Sequence, residues 1–197
     1  MIDLKYNINF FNRLVSNIDR EGIMELLDHL ENCGYFEAPA SGGHHLAEKG
    51  GLLQHSLNVT RIALTIYDKL ETDNLPVDSI VICGLFHDLG KAEYYNKMNY
   101  VENILKSGKQ STAKPFKTNK DKLNIPHEMA SIHILSKFIE LTEDETFAIL
   151  YHNGLYTPTG YTLKGNERPL QMIIHFADMW ASRVVESDGF EPMNNLF

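Results

Sequence analysis

Apolar side chains recur three and four residues apart along almost the whole of this 197-residue chain, and the every-second-residue alternation of a half-buried strand is nearly absent. The pattern predicts an all-α fold, because such spacing gathers positions onto one face only when the backbone is helical. Residues 7–34 read as one or two short helices, with Phe10, Phe11, Leu14, Ile18, Ile23, Leu26, Leu27 and Leu30 on apolar faces and Gly34 as a C-cap. A loop with Pro39, Gly42 and Gly43 leads to His44 and His45. Gly50-Gly51 then opens a helix whose stripe is Leu52, Val59, Ile62, Ala63, Ile66 and Leu70. The next helix begins near Pro76-Val77 and closes at His87-Asp88, and another carries His127 in its first turn after Pro126. Thr142 and Glu145 form a capping-box signature for a helix ending around His152. Pro169 starts the last one, with Leu170, Ile173, Ile174, Ala177, Ala181 and Val184 as its stripe.

The length suits one domain with a small addition, here a helical attachment over 1–43 ahead of a domain over 44–197. No apolar run approaches the roughly 20 residues a bilayer span requires, and the first residues lack the layout of a signal peptide, so a cytoplasmic protein without membrane contact is expected. Cys33 and Cys83 form no close-spaced pair and read as reduced, buried thiols. A net charge of -8 argues against a surface built for duplex DNA. The charge is uneven, however: Lys91 to Lys122 holds eight lysines against three acids, leaving the remainder of the chain at -13. The lysine-rich stretch from about 96 to 124 is long, has few apolar anchors, and reads as a mobile loop or lid able to close over a polyanion. Tyr94, Tyr95, Tyr100, Phe116, Tyr156 and Tyr161 are candidate stacking residues for single-stranded nucleic acid.

Several polar side chains fall on the apolar stripes. His55 shares its face with Val59, Ile62 and Ile66, His87-Asp88 ends a buried helix, and Asp178 lies on the last stripe. Burying each alone costs several kcal/mol without a partner, and a shared divalent metal supplies one, since imidazole and carboxylate suit Mn, Fe, Co, Ni, Mg and Zn. A His-Asp pair alone is weak: nine His and eleven Asp in 197 residues give about 0.5 chance occurrences. Helix caps or salt bridges are the ordinary alternative for His87, Asp88 and Asp178. His127 and His152, at a helix start and a helix end, have local uses that would leave a one-metal site. His29 reads as structural, His133 as an exposed helix residue, and His175 as either packing or a donor that orients Asp178.

Context adds specificity. Gly50-Gly51-Leu52-Leu53-Gln54-His55, Phe86-His87-Asp88-Leu89-Gly90-Lys91, Pro126-His127-Glu128, Tyr151-His152-Asn153-Gly154 and His175-Phe176-Ala177-Asp178 resemble, in order, the metal motifs of the HD superfamily of metal-dependent phosphohydrolases. The wording is most similar to bacterial HD-type 3'-5' exoribonucleases, without the N-terminal barrel those enzymes carry. The resemblance implies a helical HD bundle with the metal site in its core. It implies that His55, His87, Asp88 and Asp178 hold one ion, and that Asp88 bridges to a second completed by His127 and His152. Asp88 and Lys91 would be catalytic, Lys91 as a phosphate clamp. His44, His45, Arg61, Lys109, Lys114 and Lys117 are candidate substrate contacts. The expected substrate is a nucleotide or short single-stranded nucleic acid. Alternatives are a nucleotidase or deoxynucleoside triphosphate triphosphohydrolase, and an inactive domain that senses a nucleotide.

Overall fold

The structure is a computed structural model and describes residues 2–70 and 75–187; residues 188–197, the end of the expected domain, lie outside them. Among the described residues it is built from α1 (Leu4–Val15), α2 (Ile23–Asn32), α3 (Gly51–Lys69), α4 (Val77–Phe86), α5 (His127–Leu135), α6 (Glu143–Leu150) and α7 (Pro169–Trp180). The all-α expectation holds, with one local difference. Where a mobile loop was expected, the chain forms β1 (Glu93–Tyr94) paired antiparallel with β2 (Lys97–Met98), and β3 (Tyr100–Glu102) paired antiparallel with β4 (Phe116–Thr118). These strands are too short for periodicity to announce them. The second hairpin is tied down, because the Phe116 amide donates to the Gly42 carbonyl at 3.1 Å.

α4 explains the architecture. From Ser79 to Phe86 every residue is buried, so the helix needs apolar cover all round, and α3, α6 and α7 provide it. Gly84 lets α3 and α4 approach: a methyl there would stand 2.6 Å from Thr60 Oγ1 and 2.9 Å from Thr60 Cα. Phe11, Leu26, Leu30 and Tyr35 of the first 43 residues join the same core as Leu53, Ile82, Phe86 and Ile174, and the Tyr35 hydroxyl donates to the Leu85 carbonyl at 2.6 Å. Leu70, placed on the α3 stripe by its spacing, is instead exposed, because it caps the helix where the packing ends.

The Gly50-Gly51 pair has a steric cause. Gly50 adopts φ +80° to start α3, a region that favours glycine, and a methyl on Gly51 would come 2.0 Å from the Leu46 carbonyl oxygen. The loop before it is wound around Ser41, whose Oγ accepts from the amides of Gly43, His44 and His45 and donates to the His45 carbonyl. At the other end of the chain, α7 runs into a wide turn over Ala181–Val185 of π type, closed by the Glu186 amide donating to the Ala181 carbonyl at 2.9 Å.

Candidate metal centre

Four histidines, two within α3 and α5 and two just past the ends of α4 and α6, converge on one carboxylate, that of Asp88, and each is aimed by its other ring nitrogen. His87 Nδ1 donates to the Gly84 carbonyl at 3.0 Å, and His152 Nδ1 donates to the Ile149 carbonyl at 2.8 Å. His55 Nδ1 lies 3.0 Å from Glu186 Oε1, and His127 Nδ1 3.4 Å from Glu128 Oε2. In every case Nε2 is left to point inward, the arrangement in which a neutral imidazole offers its lone pair to an ion. α5 is seated by Gly90, whose amide donates to Ser131 Oγ while that hydroxyl donates to the His127 carbonyl.

Asp88 lies at the centre. Its Oδ2 is 3.5 Å from both His55 Nε2 and His87 Nε2, and its Oδ1 is 3.1 Å from His127 Nε2 and 3.6 Å from His152 Nε2. Asp178 Oδ1 stands 3.1 Å from His55 Nε2. Yet His55 Nε2, His87 Nε2 and Asp88 Oδ1 are buried atoms without a hydrogen-bond partner. Close approach without hydrogen-bond geometry is what the ligands of one ion show, since two atoms each ~2.1 Å from it stand about 3.0–3.4 Å apart at octahedral to tetrahedral angles. The donor set therefore fits a divalent metal. His55, His87 and Asp88 group together, as do His87, His152 and Asp178, and Asp88, His127 and His152 form a set on the other carboxylate oxygen. The last set differs in one respect: the Asn153 amide reaches His152 Nε2 at 2.9 Å and Glu128 Oε1 at 2.7 Å.

The electrostatics agree with a cation at this point. Burial alone would strip His55 of charge, but Glu186 and Asp178 overcome it and lift its pKa to about 10. Burial opposes ionisation of Asp88, yet Lys91, His87 and His127 hold it well below the usual carboxylate range. His152, buried and beside His87, is pushed down to about 3 and stays neutral, whereas on His55 an ion at Nε2 would take the place of the proton that Glu186 and Asp178 favour there. Carboxylates kept ionised in a buried site are a charge set suited to a divalent ion.

Lys91 joins the centre directly, its Nζ 2.5 Å from Asp88 Oδ2. Of the other expected substrate contacts, His45 packs its ring on His55 and places Nδ1 2.5 Å from Glu186 Oε2, whereas His44 is exposed. Arg61 is exposed on α3, off the buried stripe that carries His55. Lys109 is exposed in the second hairpin, Lys114 lies against Gly43, and Lys117 is half-buried in β4. Tyr94 is no stacking platform, because it is buried and its hydroxyl shares a 2.6 Å hydrogen bond with His133 Nδ1. For the same reason His133 is half-buried rather than exposed. His175 does not orient Asp178; its Nδ1 donates to the His152 carbonyl at 2.7 Å. His29 stacks on Phe138, and Cys33 and Cys83 are free and buried, as expected.

Glu186 was not signalled by periodicity. Eight residues beyond Asp178, it would fall about 80° off that face in a regular helix. The wide turn absorbs one residue, which brings Glu186 to about 20° from that face, where its carboxylate meets His55 Nδ1.

The HD domain family model matches residues 52–180, about two thirds of the chain. The chain belongs to the HD domain family. HD domains bind divalent metals and are generally hydrolases, and the matched segment contains all six residues expected as ligands. No curated protein and no solved structure matches the chain at a significant level, so the likeness to exoribonucleases rests on motif wording alone. Among the described residues, no helix is long and apolar enough to cross a membrane.

Proposed function

We propose that this HD domain is a metal-dependent phosphohydrolase that cleaves phosphodiester bonds of nucleotides or short single-stranded nucleic acid. The observation that supports it is the buried Asp88 carboxylate, shared between two histidine pairs, His55 with His87 and His127 with His152. His55, His87, Asp88 and Asp178 would hold one divalent ion, and Asp88, His127 and His152 a second. Such ions, when bound, acidify a water and neutralise charge growing on phosphoryl oxygens.

The remaining work falls to the protein. His55, His87 and His152 are sealed from solvent, whereas the side chains of Lys91, Asp178 and His127 are 15%, 17% and 26% exposed, so a phosphate enters past these three. Lys91 then offers an ammonium to a non-bridging oxygen, with Asp88 holding it in place. Tyr100 of β3 is close enough to Lys91 and Asp88 to feel both charges, which sets the lysine-rich hairpin beside this entrance. A local positive charge on an acidic chain favours small or single-stranded phosphates over duplexes. A nucleotidase would use the same centre without needing the hairpin lysines.

Metal content of the purified protein, followed by release assays on bis-p-nitrophenyl phosphate, a nucleotide panel and single-stranded RNA and DNA, tests the proposal. His87→Ala is expected to abolish metal-dependent release with its circular dichroism unchanged. Equal activity in that variant would sink the assignment.

A further inference from the structure

The Glu186 side chain is almost fully buried, at 1% exposure, yet no cation of lysine or arginine pairs with it among the described residues. Its partners are His45 Nδ1 at 2.5 Å on Oε2, His55 Nδ1 at 3.0 Å from both oxygens, and the Asn58 amide, which donates to Oε1 at 3.0 Å. Asn58 is itself held, since its Oδ1 accepts from Gln54, and Gln54 Oε1 accepts from the Asn7 amide of α1. A buried carboxylate on which two imidazoles and one amide converge needs a reason, because a buried charge is costly unless it is paired and hydrogen-bonded. His55 supplies one: its Nε2 faces Asp88 and Asp178, so the group on Nδ1 decides which ring nitrogen carries the proton when an ion is bound.

We propose that Glu186 is a positioning residue of the metal centre, holding the Nδ1 proton of His55 so that Nε2 is free for the ion and, through His45, fastening the 41–46 loop to the same carboxylate. It rests on the metal-centre reading above and adds a residue six positions beyond the segment matched by the family model. The loop is part of the same unit. Phe116 of β4 bonds to Gly42, and Lys114 lies against Gly43, so the carboxylate links a metal ligand to the base of the lysine-rich hairpin. The His45 and His55 rings meet edge to face with centroids 5.0 Å apart, which leaves the carboxylate bridging both at once. His45, His55 and Glu186 do form a grouping able to hold an ion by themselves. That use is disfavoured here because His55 Nδ1 would then have to leave the carboxylate while Nε2 serves the main centre.

Glu186→Ala and Glu186→Gln separate these roles. Mn2+ affinity is read by titration calorimetry, and the His55 Nδ1 proton by NMR of the Zn2+-loaded protein. Wild type is expected to show a slowly exchanging downfield imidazole N–H. Glu186→Ala should lose that resonance and bind Mn2+ 10–100-fold more weakly, roughly the cost of removing a carboxylate behind a ligating histidine. Glu186→Gln, whose amide oxygen still accepts, should keep the resonance and fall between the two. A folded Glu186→Ala with wild-type affinity, or with the resonance intact, overturns the proposal. If alanine prevents folding, wild-type affinity in Glu186→Gln overturns it instead. Should wild type bind no Mn2+ at all, it is the metal-centre reading that fails.

Discussion

Glu145 shows how much a single buried charge organises. Its carboxylate accepts from Arg20 Nη2 at 2.6 Å and Nη1 at 3.2 Å, from Ser79 Oγ at 2.6 Å and from the Thr142 amide at 2.8 Å. The last bond is half of the capping box expected from the spacing of Thr142 and Glu145; the Arg20 and Ser79 bonds join the α1–α2 turn and α4 to α6. Burial raises its pKa, but the Arg20 and Ser79 hydrogen bonds outweigh that and hold it below the ordinary value. A depressed carboxylate contributes stability that is complete above its unfolded value of about 4.3 and is lost as pH falls through the folded one. Glu145→Ala should therefore lower unfolding stability at pH 7 by about 1.5–3 kcal/mol, the scale of hydrogen bonds to a charged group, because Arg20 and Ser79 lose this acceptor while Arg20 keeps its pair with Asp78 at 3.0 Å. Urea denaturation should find the gap between wild type and variant narrowing below pH 4. A constant gap at every pH would show that the loss is packing alone.

At the scale of elements, the crossing of α3 and α4 sets the distance between His55 and His87, and Gly84 controls that crossing. Gly84→Ala drives a methyl into Thr60, including its backbone Cα, so the neighbour cannot simply rotate away. Overpacking of this kind costs about 1–3 kcal/mol, or roughly 2–12 °C in Tm for a chain of this size. The same displacement shifts the carbonyl that orients His87, so metal affinity should fall together with Tm in a thermal melt with and without Mn2+. An unchanged Tm would mean that the helices part at no cost. The helices themselves were legible in the sequence, apart from end shifts of a few residues, because their stripes are long. The hairpins were not, since two- and three-residue strands carry no period and are held by bonds to residues distant in sequence, the first by the Glu93 amide to the Cys33 carbonyl and the second by the Phe116 amide to the Gly42 carbonyl.

For the whole molecule, the distribution of charge bears on the substrate. An acidic body with a basic hairpin beside the entrance should discriminate by the length of the phosphate chain. Replacing Lys109, Lys114 and Lys117 together by alanine is expected to weaken cleavage of single-stranded oligonucleotides about tenfold or more at low salt while leaving bis-p-nitrophenyl phosphate hydrolysis near wild type, and the oligonucleotide rate should lose its steep salt dependence. An equal effect on both substrates would remove the hairpin from substrate binding and favour a nucleotidase.

His55, His87, Asp88 and Asp178 stand out in the chain because each is a polar residue on, or at the end of, an apolar helical stripe, whereas His127 and His152 are expected ligands only through the family motifs they resemble. Periodicity is a local property, and it reports which face of a helix a side chain occupies. It does not report what stands opposite. Glu186 was invisible for that reason: a π turn changes the phase of the helix after Asp178, and the partners it meets come from α3 and the loop ahead of it. Folding also decided that Lys91 pairs with Asp88, that Tyr94 is buried against His133, and that the lysine-rich stretch is anchored by strands. Each of these depends on residues distant in sequence, and their contact energies exist only once the helices have packed.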